Sequence, residues 1–311
     1  MRIVFMGTPE FAVASLDALF NSSHEVVGVV TVADKASGRG RKVHSSAVKE
    51  YALSKNILTL QPLKLKDSGF LKALEGLRAD LFVVVAFRML PDAVWKMPSK
   101  GTINLHGSLL PRYRGAAPIN WAVINGDKET GYSSFYINEE IDKGALLFQE
   151  RMPIHEDEDA GSVHDRMMLL GALLVVKTVN AIEEESANAQ PQNDIVASHA
   201  PKLNNENRRI DWTKPSTEIK NLIRGLSPYP SAYSILHTNE EELTVKFFKV
   251  EKVEGESLSP GIIKSDGKTF LYIGSRGESL SILELQVAGK RRMSIKDLLN
   301  GWELDPNWQF H

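Results

Sequence analysis

Residues 104–118 read Asn104-Leu105-His106-Gly107-Ser108-Leu109-Leu110-Pro111-Arg112-Tyr113-Arg114-Gly115-Ala116-Ala117-Pro118. An apolar run precedes them, and they open with two polar side chains two positions apart. In a strand that spacing puts Asn104 and His106 on one face, and turns Leu105 the other way, into the layer behind. Glycine, serine, proline and arginine follow, which is loop chemistry. The stretch predicts a strand that ends at His106 and passes into an irregular loop. Open α/β sheets carry their chemistry at such carboxyl ends.

The flanking sequence supports that architecture. Residues 81–86 form a near-continuous apolar, β-branched run, as expected of a central parallel strand. Residues 2–6 and 26–32 read as two more buried strands. Between these two, Val13, Leu16 and Phe20 fall at helical spacing. Thr8 is expected to cap that helix, with Pro9 at its first position. A helix N-terminus after Gly7 could receive an anion. The dinucleotide fingerprint is missing, however, because one glycine stands where three are needed. Residues 46–54, 67–77 and 116–125 read as helices, a short helix starts at Leu90-Pro91, and 101–106 is the next strand. Strands at 132–137 and 145–153 are joined by 138–144, too short for a crossover, so an antiparallel return is expected. Val163, Met167, Leu170 and Leu174 mark one face of a helix over 159–182.

From about residue 183 the periodicity stops. The expected division is residues 1–183 as an α/β domain with a mostly parallel sheet, 184–205 as a linker, and 206–311 as a second domain. That second part has a helix at 216–226 and a final one at 294–300. Short β-rich runs at 231–236, 243–250, 260–265, 269–274 and 279–287 predict a small barrel.

Composition narrows the chemistry. The 311 residues carry 42% hydrophobic and 24% charged side chains and a net charge of −2, so contact with nucleic acid must use local patches. Two such patches stand out: a glycine-interleaved loop at 34–43, with Lys35, Arg39, Arg41 and Lys42, and the triplet Lys290-Arg291-Arg292. There is no cysteine, which excludes thiolate catalysis, disulfides and Cys-ligated zinc. None of the eight histidines lies in a metal-ligand spacing, so no metal is expected. No apolar run reaches membrane-spanning length, and a cytoplasmic location is expected.

His106 gains weight from its company: an Asn on the same face, an adjacent shaped loop, and carboxylates at Glu139, Glu140 and Asp142 in a loop that can return to the same sheet edge. Spacing does not choose among the three. An Asn–His–carboxylate set suits acyl transfer without a protein nucleophile. The amide and the imidazole can hold the oxygen of a tetrahedral intermediate, and the carboxylate can orient the imidazole or help move a proton.

These residues, with Ile141-Asp142-Lys143-Gly144, resemble the signature of the folate-dependent formyltransferases. Gly7-Thr8-Pro9-Glu10-Phe11, the basic loop, the second domain, and Lys202-Leu203 with Arg209-Ile210-Asp211-Trp212 extend the resemblance from residue 2 to about residue 301, towards the branch of the family that acts on tRNA. It implies a Rossmann-like first domain and an OB-like second one. It implies transfer of formyl from N10 of 10-formyltetrahydrofolate to the methionine amino group of initiator Met-tRNA. Among family members, a nucleotide-sugar amine is the alternative acceptor. Asn104 and His106 would hold the oxyanion, and Asp142 would position His106 and assist proton transfer. The folate co-substrate would lie against Ser108, Leu109, Leu110 and Pro111 and the stretch containing Phe87, Arg88 and Leu90. Arg39, Arg41 and Lys42 would meet the acceptor arm, and Lys290, Arg291 and Arg292 the tRNA further down. A monomer is expected. The sequence departs from the family pattern at Arg88, where glycine is usual in a stretch one residue longer, at Lys143, where threonine is common, and around Asp34, where prolines are usual.

Overall fold

The structure is a computed structural model that describes residues 1–37 and 42–311. It divides into two compact units: residues 1–118, 130–152 and 164–199, and residues 119–129, 153–163 and 200–311.

In chain order the elements up to residue 200 are β1 (Arg2–Gly7), α1 (Glu10–Phe20), β2 (Glu25–Val30), β3 (Lys35–Ser37), β4 (Lys42–His44), α2 (Ala47–Ser54), β5 (Thr59–Leu60), α3 (Ser68–Gly76), β6 (Leu81–Val85), α4 (Asp92–Trp95), β7 (Thr102–His106), β8 (Arg114–Gly115), α5 (Pro118–Ile124), β9 (Glu129–Tyr136), β10 (Leu146–Pro153), α6 (Ala160–Glu183) and β11 (His199–Ala200). The main sheet of the first unit has the order β10-β9-β7-β6-β1-β2-β5. The pairs β1–β2, β1–β6, β2–β5 and β6–β7 are parallel, and β7–β9 is antiparallel. The winding therefore reverses between β1 and β6, which is where open sheets of this kind leave a crevice at their carboxyl ends. All five residues of β6 are buried, consistent with its central place. On β7, Leu105 lies so close to α6 that a β-carbon added at Gly171 would fall 2.8 Å from Leu105 Cδ2. That is the layer behind the site.

Local sequence explains the helix starts. Ser46 and Asp67 sit at the N-caps of α2 and α3, and their side chains accept from the backbone N–H of Lys49 and Phe70. At α1 the expected Thr8 cap is not formed. Pro9 takes the N-cap position in an extended conformation, φ −80 and ψ 175, with no side-chain cap, so Thr8 falls one residue outside the helix. The 34–43 stretch, read as a loop, includes a short antiparallel pairing of β3 with β4. Residues expected as a linker are tied into the first unit: Leu146 and Gln190 exchange backbone hydrogen bonds of 2.7 and 2.8 Å, and Ser198 N–H donates to Pro111 O at 3.2 Å.

The second unit continues with α7 (Ser216–Leu226), β12 (Ala232–His237), β13 (Glu242–Val253), β14 (Ile263–Ser265), β15 (Leu271–Ile273), β16 (Ser279–Val287), β17 (Met293–Ser294), α8 (Ile295–Leu299) and β18 (Gln309–Phe310). The sheet runs β14-β15-β16-β13-β12-β18, with β17 on β16. A bridge between Ile262 and Gln309 joins its two ends, so the antiparallel sheet curls into a small barrel. Its interior packs on Trp212, whose ring centroid lies 5.5 Å from that of Phe247 and 5.8 Å from that of Phe310. The indole N–H of Trp212 donates to Ser234 Oγ at 3.0 Å. Residues 119–129 and 153–163 belong to this unit for identifiable reasons. Asn120 Nδ2 donates to Gly225 O, Trp121 Nε1 donates to Pro201 O, and Arg224 Nη1 donates to Glu158 O. No helix among the described residues is long and apolar enough to cross a membrane.

Candidate active site

Asn104 and His106 stand on β7, His106 as its last residue, with Asn104 flanked by Val84 of β6 and Phe135 of β9. Asn104 is half-buried, and its side-chain amide bonds to no other described residue. His106 is 6% exposed. Its Nε2 lies 2.8 Å from Tyr113 O. A carbonyl only accepts, so Nε2 carries the proton and Nδ1 is the nitrogen left to do chemistry. Nδ1 faces Asp142 Oδ2 at 3.8 Å, wider than a direct hydrogen bond.

Of the three carboxylates that spacing left open, Asp142 is the one that lies opposite His106. Glu139 and Glu140 are exposed, and Glu140 pairs with Lys143, whose ammonium it holds above the usual lysine range. Asp142 turns inward through a left-handed backbone, φ 55, and its Oδ2 accepts the Gly115 N–H at 2.8 Å. Gly144 closes the same turn at a point where a β-carbon would sit 1.6 Å from Tyr136 O.

Two side chains that sequence reading did not single out hold this loop. Gln192 Nε2 donates to Asp142 O and to Gly144 O, each at 2.8 Å. Gln192 Oε1 accepts from Arg114 Nε at 3.1 Å and Nη2 at 2.6 Å. Arg114 is 5% exposed and also contacts Asp194 at 2.7 Å, and the guanidinium holds the Asp194 carboxyl below the usual carboxylate range.

The expected folate-contact residues fall into two groups. Ser108 and Leu110 turn into the protein, at 0% and 3% exposure. Ser108 Oγ donates to Arg112 O at 2.6 Å, and Ser133 Oγ both donates to Ser108 O and accepts the Leu110 N–H. Gln149 Nε2 donates to Leu110 O. These side chains shape the loop, leaving Leu109 and Pro111 half-exposed. On the other side, Leu90 is buried, and Phe87 packs on the same core. Arg88, where glycine was expected, donates to the carbonyls of Pro62 and Leu63 and lies 5.6 Å from the Phe87 ring centroid. It therefore ties the loop after β6 to the segment after β5.

The basic residues are placed unevenly. Arg39 and Arg41 lie outside the described residues, as does the side chain of Lys42. Lys290, Arg291 and Arg292 are exposed in the turn between β16 and β17. Arg292 is engaged by Glu284 and lies 4.3 Å from the Phe248 ring centroid.

Asn104 and His106 thus bring an amide and an imidazole to the end of one strand, with the Asp142 carboxylate facing the imidazole, and an amide–imidazole pair is a donor set suited to an oxyanion. Residues 1–189 match the formyl transferase family, and residues 202–303 match the formyl transferase C-terminal domain. A methionyl-tRNA formyltransferase from Flavobacterium johnsoniae is 50% identical over 305 residues, covering 97% of this chain and 96% of that protein. One from Bacteroides fragilis is 49% identical over 310 residues, covering 98% and 96%. The chain belongs to the formyl transferase family, among the methionyl-tRNA formyltransferases. Solved structures agree on the fold. WlaRD, a sugar 3N-formyl transferase in the presence of dTDP and 5-N-formyl-THF, aligns with a TM-score of 0.67 at 21% identity, covering 94% of this chain and 99% of that one. HypX from Aquifex aeolicus in complex with tetrahydrofolic acid aligns at 0.65 and 18%, covering 100% and 51%. At these identities the likeness speaks for the fold alone.

Proposed function

We propose that this chain transfers the formyl group of 10-formyltetrahydrofolate to the α-amino group of methionine on initiator Met-tRNA, in the cytoplasm and as a monomer, for translation initiation. The methionyl-tRNA formyltransferases at half identity over nearly the whole length support that acceptor. We assign the chemistry to residues 1–183, with Gln192 of the 184–205 stretch bonded to the Asp142 turn, and tRNA holding to residues 206–311.

The single observation that carries the mechanism is the orientation of His106, with Nε2–H fixed on the Tyr113 carbonyl and Nδ1 opposite Asp142. The free amine attacks the formyl carbon, and the carbonyl pair moves onto oxygen. The Asn104 amide donates to that oxygen. The attacking nitrogen becomes positive and must lose a proton. The 3.8 Å opening between Nδ1 and Oδ2 lets an amine or a water bridge the pair, so the proton passes to Nδ1 with the Asp142 charge beside it. Protonated, His106 becomes a second donor to the oxyanion. Collapse breaks the bond from the formyl carbon to N10, which takes the proton from His106 Nδ1 and leaves as tetrahydrofolate, while the amine nitrogen keeps the formyl group and His106 returns to its neutral form. Folate would rest on the loop of Ser108 to Pro111 and beside Phe87, Arg88 and Leu90, with the buried Ser108 and Leu110 acting through the backbone they shape.

Single-turnover formylation by His106→Ala and Asp142→Asn tests this. Each is expected to lose about 10²–10⁴-fold in rate, with Met-tRNA affinity within about twofold of wild type. A loss confined to tRNA affinity would refute the assignment.

A further inference from the structure

We propose that Gln192, locked in place by Arg114, is a positioning residue that presents Asp142 to His106; the proposal rests on the assignment of Asp142 and His106 to formyl transfer. Asp142 holds a backbone conformation that L side chains rarely adopt, φ 55. Something must hold that turn, and the bonds to its carbonyls identify it. Asp142 O and Gly144 O both converge on Gln192 Nε2 at 2.8 Å. A primary amide has two N–H donors, so both are used on this one turn.

The orientation of that amide is itself fixed. Turned over, Gln192 would aim its own oxygen at two carbonyl oxygens. Arg114 prevents this by donating Nε and Nη2 to Gln192 Oε1, and Asp194 balances the charge of the buried guanidinium. Arg114 also belongs to the tripeptide that holds the other two groups. Its predecessor's carbonyl, Tyr113 O, takes the His106 Nε2–H, and its successor's amide, Gly115 N–H, donates to Asp142 Oδ2. The four residues form a closed circuit: His106 to residues 113–115, these to Asp142, Asp142 backbone to Gln192, and Gln192 to Arg114. Gln192 thus sets the backbone from which the carboxylate reaches across to Nδ1.

The test is a double-mutant cycle read by single-turnover rate, with circular-dichroism melting to establish that each variant is folded. Gln192→Leu should lower the formylation rate about 10- to 100-fold, the cost of a misplacement near one ångström. KM for donor and acceptor should stay within about twofold. In an Asp142→Asn background the same substitution should change the rate less than about twofold, because its effect passes through that carboxylate. Gln192→Glu separates positioning from simple pairing with Arg114. It keeps an acceptor for the guanidinium but removes both donors, so it should be as slow as the leucine variant. Wild-type rate for either Gln192 variant while Asp142→Asn is slow would overturn the proposal, as would full multiplication of the two losses in the double variant. Wild-type rate for Asp142→Asn would instead overturn the assignment beneath it.

Discussion

Gly144→Ala tests whether the turn that carries Asp142 is as tightly determined as the geometry says. A β-carbon there would lie 1.6 Å from Tyr136 O and 2.8 Å from Tyr136 C. Ordinary carbon–oxygen contacts begin near about 3.3 Å, so the backbone must part by about 1.7 Å. Tyr136 ends β9 and is paired in the sheet with Ile103 of β7. The strand end is therefore held, and the turn is the part that yields. Asp142 is two residues away, and a shift of this size moves its carboxylate out of reach of His106. The expected cost is about 1–3 kcal/mol of stability from overpacking, which is about 2–12 °C in Tm. The rate should fall about 10²-fold or more. Differential scanning fluorimetry reads the first and single-turnover formylation of Met-tRNA the second. Gly76→Ala in α3 is the control, since nothing lies within 4 Å of its added carbon. It should stabilise by about 0.4–1 kcal/mol and leave the rate unchanged. A folded Gly144→Ala enzyme with wild-type rate would refute the reasoning.

Other expectations follow from the same geometry. Asn104→Ala should lose about 10²–10³-fold in rate by removing one oxyanion donor, with little change in Tm, and a loss under tenfold in single turnover would contradict that role. The Arg114 guanidinium lowers the Asp194 carboxyl from its ordinary 3.8, so the unfolded chain binds that proton more readily than the folded one. The stability Asp194 adds is complete above 3.8 and lost as pH falls through the folded value. Denaturation midpoints of wild type and Asp194→Asn should accordingly differ at pH 7 and converge at low pH; a constant gap would contradict the pairing. Neutralising Arg39, Arg41 and Lys42 together should reduce the salt slope of tRNA binding by about one for each phosphate these side chains neutralise. An unchanged slope in filter binding would remove that loop from the interface. Lys290→Ala and Arg291→Ala should weaken tRNA binding more than Arg292→Ala, because Glu284 already occupies the Arg292 guanidinium.

Much of the fold was legible because burial writes a period into the chain. Of the apolar run at 81–86, residues 81–85 became a fully buried central strand while Ala86 falls outside it, exposed, and the alternation at 104–106 put Asn104 and His106 opposite Leu105. The short return at 138–144 could not cross the sheet. Other features leave no period. Asp142 is distinguished from Glu139 and Glu140 by a left-handed turn, φ 55, and side-chain spacing says nothing about that. Gln192 sits in a polar stretch without periodicity, and its role lies in bonds to two backbone carbonyls, which any sequence offers. The Thr8 cap failed because Pro9 took the N-cap position itself. Ser108 and Leu110 belong to the motif, yet they face inward to shape a loop.

A competition among acceptors tests most directly which amine receives the formyl group. Purified protein with 10-formyltetrahydrofolate is offered initiator Met-tRNA, a nucleotide-sugar amine and glycinamide ribonucleotide in competition. The formyl group should go to the methionine amine and to neither competitor at a comparable rate. Formylation of the sugar amine, or no formyl-Met-tRNA with an active donor present, would contradict the proposed acceptor.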